Sequence, residues 1–74
     1  MIRGRSLRAL REAMGVTALE LAAEAACPVE TLLRAEFGLS LPREELRRRL
    51  ATAYRLPVEE YVRLALDAAD RVAG

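Results

Sequence analysis

Seventy-four residues, 53% apolar and 31% charged, make one folded domain with a modest core rather than a disordered tail. Aromatics at 4% exclude a base-stacking platform for single-stranded nucleic acid, and the absence of His excludes Ser-His and Cys-His nucleophiles. The net charge of +1 means that the chain can meet DNA, but not by bulk charge.

The chain reads as five helices with short breaks and no strand-like alternation, an all-α domain occupying residues 1–74. Residues 1–5 form a basic arm with Arg3 and Arg5, expected to be flexible. The first helix covers 6–14, with Ser6 as its cap, Leu7, Leu10 and Met14 on one face, and Gly15 as its left-handed end. The second covers 17–25 and opens on a capping box, Thr17-Ala18-Leu19-Glu20, in which hydroxyl and carboxylate each satisfy an unpaired N–H. The third covers 28–36 and the fourth 43–54. The fifth covers 58–72, within a C-terminal segment 57–73. Pro28, Pro42 and Pro57 precede the last three, each followed within three residues by Glu; the expectation is a proline at the first helical position, where its missing N–H costs nothing.

Charge is unevenly placed. Arg3, Arg5, Arg8 and Arg11 make the first eleven residues basic, 12–36 are acidic, and 43–55 are basic again. Arg47, Arg48 and Arg49 point ~100° apart on a helix, so they are expected to be a solvated face rather than one patch. Cys27 cannot form an internal disulfide, fits a reducing, cytoplasmic compartment, and is expected to be a small buried side chain. No run is long enough for a membrane span, no signal peptide opens the chain, and no cofactor, metal or catalytic constellation is present.

The second and third helices are separated by a very short turn at Ala26-Cys27, which suggests a helix-turn-helix over 17–36. The stretch TALELAAEAACPVETLLRAEFG resembles the helix-turn-helix of the Xre / phage Cro-repressor-like family, the lambda-repressor-like DNA-binding domains. SLRALREAMGVT resembles that family's first helix, and GLSLPREELRRRLATAYRLPVEEY its loop, fourth helix and start of the fifth. The resemblance implies a five-helix fold and a transcriptional regulator that binds double-stranded DNA as a homodimer. It implies an Arg11–Glu36 pair across the first and third helices, which removes Arg11 from the DNA contacts. It also implies base-facing positions at Val29, Glu30 and Arg34, and phosphate-facing ones at Thr17, Ala18 and Phe37.

Arg34 can fork onto guanine O6 and N7, Glu30 can accept from a cytosine amino group, and Val29 can touch a thymine methyl. Arg3, Arg5, Arg8 and Arg43 are the phosphate candidates. Ala18 and Phe37 have no side-chain donor, and Leu39 and Leu41 are apolar where the family commonly carries Lys, Arg or Thr. An alternative therefore stays open, a protein-interaction module on the same fold that uses Leu33, Phe37, Leu39 and Leu41 against a protein partner. On the fifth helix the apolar stripe is wider than one small domain needs, and Leu64, Leu66, Ala69 and Val72 are the expected dimer interface.

Overall fold

The computed structural model describes residues 6–73. Among them are five α-helices: α1 Leu7–Met14, α2 Ala18–Ala25, α3 Val29–Glu36, α4 Glu44–Ala53 and α5 Val58–Ala73. Every expected element is present, with boundaries within two residues. Arg3 and Arg5 lie outside the described residues.

The starts follow local chemistry. The Ser6 hydroxyl accepts from the Ala9 N–H at 3.0 Å, and Thr17 and Glu20 exchange both bonds of the capping box at 3.1 and 2.9 Å. The prolines do not occupy first helical positions. Pro28 and Pro57 sit one residue before α3 and α5, and their carbonyls accept the first helical bonds, from Thr31 and Tyr61. Pro42 is earlier still and buried; Arg43 stands between it and α4. The residue before α3 and the one before α4 are both extended, which proline's fixed φ also satisfies.

The helix ends share one device. After α1, α2, α3 and α4 the chain passes through a left-handed residue, at Gly15, Ala26, Gly38 and Arg55, with φ of 75°, 58°, 76° and 64°. Around each, paired N–H groups fold back onto the last-turn carbonyls: Cys27 bonds to Ala22 and Ala26 to Ala23, as Leu56 bonds to Ala51 and Arg55 to Thr52. Only two of the four positions carry the glycine that this geometry favours.

The core joins Leu7, Leu21, Leu32, Leu50, Leu64, Tyr54 and Tyr61 with small alanines between them. Ala22 and Ala25 let α2 lie against both α3 and α4, while α5 closes the bundle against α1, α3 and α4. Gly38 is the closest joint. A Cβ there would stand 2.5 Å from backbone atoms of Ala68 and Ala69, so the end of α3 is laid directly on α5.

Candidate nucleic-acid interface

The joint that holds α3 is polar. Arg11 forks onto Glu36, Nε donating to Oε2 at 2.8 Å and Nη2 to Oε1 at 3.0 Å. The Glu36 side chain is only 2% exposed. The Tyr54 hydroxyl donates to the same Oε2 at 2.6 Å. A charge that deep is tolerated because three donors meet its two oxygens. Burial, followed by the bond to Glu36, pushes the Tyr54 hydroxyl well above the usual phenol range, so it remains a donor. The expected pair is therefore a triad; the signal for its third member was a Tyr at the end of α4, whose polar tip needs a partner once its ring is buried.

Held this way, α3 turns Leu32 and Ala35 into the core and presents Glu30, Arg34 and Phe37 outward, on one face at spacings of four and three. Val29 and Leu33 are half-buried against the core, so both expected contacts have part of their surface committed. Arg34 is exposed, and among the described residues its guanidinium has no hydrogen bond or ion pair. The same is true of the exposed Glu30. Thr17 is exposed at the start of α2, where its oxygen accepts the cap bond and its proton stays free for a phosphate. Ala18 is half-buried, and the neighbouring Leu19 is the most exposed large apolar side chain among the described residues, at 67%.

The phosphate candidates fare differently. Arg43 is exposed at the start of α4. Arg8 makes an exposed ion pair with Glu12 at 3.0 Å and borders a surface groove of about 480 Å³ with Phe37, Ala68 and Val72. It thus lies beside the end of α3 rather than its start.

The arginine run is not simply a solvated face. Arg47 donates to the Pro42 carbonyl at 2.7 Å, and Arg49 to the carbonyls of Ala25 and Ala26 at 2.9 and 3.3 Å. Only Arg48 is purely superficial, paired with Glu44 at 3.2 Å. Cys27 is half-buried, and burial pushes its thiol up, away from reactivity.

One expectation for the apolar surfaces needs correction. Leu64 is 2% exposed and belongs to the chain's own core, because its side of α5 is covered within the bundle. It is closed to a second copy. Phe37 stands 53% exposed, with Leu39 at 55% and Leu41 at 39%. Leu66 is exposed, Ala69 half-buried, and Val72 exposed at the groove shared with Phe37.

A five-helix bundle that turns α2 into an exposed α3 through three residues is a helix-turn-helix. The family model described as a helix-turn-helix domain matches residues 4–64, and the chain belongs to that family of DNA-binding domains. No curated protein and no solved structure matches the chain. No helix among the described residues is long and apolar enough to cross a membrane.

Proposed function

We propose that this chain is a sequence-specific, double-stranded-DNA-binding transcriptional regulator of the Xre type, cytoplasmic, and active as a homodimer. The observation that carries this is Arg34, exposed and uncommitted on the outward face of the helix that a helix-turn-helix presents to the major groove. Arg34 reads a guanine, with Glu30 beside it accepting from a cytosine and Val29 offering a methyl contact. Thr17, Arg8 and Arg43 are the phosphate ligands proposed among the described residues.

Two copies joined through α5 would set two α3 helices in successive major grooves, ~34 Å apart. Leu66, half of whose surface is exposed on α5, supplies the centre of that contact, flanked by Val62 and Ala69.

A second reading rests on a separate observation, the exposure of Phe37, Leu39 and Leu41. In it the end of α3 anchors a protein partner. Two variants, each checked by thermal melting, separate the readings. Arg34→Ala should cost about 1–3 kcal/mol on a duplex selected from a randomised library and relax the preference for one guanine. Phe37→Ala should leave duplex binding unchanged, since Phe has no donor for phosphate. Leu66→Glu should give a folded monomer that binds the same duplex more weakly. No detectable duplex binding at low salt by the folded wild type would eliminate the DNA reading.

A further inference from the structure

We propose that Arg49, on α4, is a positioning residue for DNA reading, acting by clamping the turn between α2 and α3. The proposal rests on the DNA-binding reading above. Three residues, Ala26, Cys27 and Pro28, separate the two helices. The first of them, Ala26, sits at φ 58° and ψ 50°, a conformation that an L side chain adopts at a cost. The Arg49 fork reaches this spot. Its Nε donates to the Ala25 carbonyl at 2.9 Å and its Nη2 to the Ala26 carbonyl at 3.3 Å. The remaining nitrogen, Nη1, is 3.3 Å from Glu45 Oε2, an exposed contact that aligns the guanidinium without neutralising its hold on the turn. The same charge opposes the upward push of burial on the thiol of Cys27, the next residue of the turn.

The geometry explains why so small a contact matters for recognition. α4 packs chiefly on α2 and α5, and α3 chiefly on α2 and α5, so the α4 side chain that grips the turn links α4 to the start of α3. A 10° change of direction at that turn would carry the Cα of Arg34, ~7.5 Å along the helix, by roughly 1.3 Å. A bidentate bond to guanine does not survive a displacement of that size. Charge-assisted bonds to two adjacent carbonyls resist such a change. A glycine in place of Ala26 would make the turn relaxed without them.

The test uses the full chain, the duplex selected by the wild type from a randomised library, and a random-sequence duplex, at several salt concentrations. Arg49→Met keeps the apolar stem and removes the fork. The expected result is a loss of about tenfold or more on the selected duplex, the scale of one charge-assisted hydrogen bond. Affinity for random sequence and the slope of log K against log salt should not change. Adding Ala26→Gly to the Arg49→Met variant should restore most of the discrimination. An equal loss on both duplexes, with a slope smaller by about one, would make Arg49 a phosphate ligand and overturn the proposal. So would unchanged binding to the selected duplex.

Amide hydrogen exchange supplies a reading that needs no DNA. Thr31 and Leu32 bond through their N–H groups to the Pro28 carbonyl at the start of α3. In Arg49→Met they should exchange faster relative to the Leu50 amide, and unchanged relative protection would overturn the clamp. If the wild type binds no duplex while exchange still responds, it is the DNA reading that fails. Should Arg49→Met not fold, Arg49→Lys, whose point charge cannot span both carbonyls, is judged by the same criteria.

Discussion

Removing Arg11 tests whether the buried triad holds α3 in place. Arg11→Met preserves much of the stem and deletes both donors to Glu36, leaving a carboxylate that is 2% exposed with only the Tyr54 hydroxyl. Breaking one side of a buried ion pair costs about 3–5 kcal/mol. A chain of this length has about 4–11 kcal/mol in total. At about 4–8 °C per kcal/mol for a domain of this size, the melting temperature should fall by roughly 12–40 °C. Glu36→Leu should cost less, because Arg11 is more exposed than its partner and keeps a 3.4 Å bond to the Val16 carbonyl. The double variant carries no buried charge. It leaves only the Tyr54 hydroxyl unpaired, about 1–3 kcal/mol, and adding Tyr54→Phe should recover most of that. Thermal and urea unfolding of the four variants measure the coupling directly. If the double variant loses the sum of the two single losses, the residues are not coupled and the triad does not hold the joint.

Gly38→Ala should cost about 2–5 kcal/mol, since the new Cβ meets backbone at 2.5 Å in a left-handed residue, whereas Gly15→Ala, with open space around it, should cost only about 1 kcal/mol; equal melting temperatures would refute the close approach. Tyr61 is fully buried and its hydroxyl has no hydrogen-bond partner among the described residues, so Tyr61→Phe should be neutral or raise stability by about 1 kcal/mol in urea unfolding; a loss above that would reveal a missing partner. Burial raises the pKa of both Tyr61 and Tyr54 above the ordinary value of 10.0, so above that pH the unfolded chain loses protons that the folded chain keeps. Stability that is complete below pH ~10 should then fall by up to about 2.7 kcal/mol per pH unit, and Tyr61→Phe should halve that slope in alkaline melts. Arg55→Gly should raise stability by about 0.5–1 kcal/mol by relieving a left-handed arginine, seen as a higher melting temperature; a lower one would show that the Arg side chain has an unrecognised role.

The helices were legible because their signals are local. Ser6, the Thr17–Glu20 box and Gly15 act within one turn of where they stand, and the structure places each at an end. The Arg11–Glu36 pair was legible only through the family resemblance, since no spacing rule joins residues 25 apart. Arg49 and the left-handed Ala26 and Arg55 were not legible. Ala and Arg carry no turn signal, and a guanidinium that meets backbone carbonyls 23 and 24 residues away is a product of packing. The prolines stand outside the helices they were expected to open, because a proline before a helix and one inside its first turn leave the same mark in the sequence.

The two leucines of α5 show the limit most clearly, and bear on how the protein can work. Helical spacing puts Leu64 and Leu66 on opposite edges of an apolar stripe without saying which edge the bundle covers. The structure covers Leu64. It also separates the other expected interface residues. At ~100° per residue, Leu66 and Val72 stand about 120° apart around α5, too far for one flat contact. Val72 faces the groove it shares with Phe37, while Leu66 heads a different flank with Val62 and Ala69. The chain therefore carries two apolar surfaces, the Leu66 flank, which we propose as the dimer contact, and one at the end of α3. A dimer built on the Leu66 flank leaves Phe37 uncovered. DNA reading through Arg34 and partner binding through Phe37 are then separable by mutation rather than mutually exclusive. Leu66→Glu should abolish the dimer without affecting what Phe37 holds, and Phe37→Ala should release a partner without dissociating the dimer. Loss of the dimer in Phe37→Ala, by light scattering, would show that the two surfaces are one.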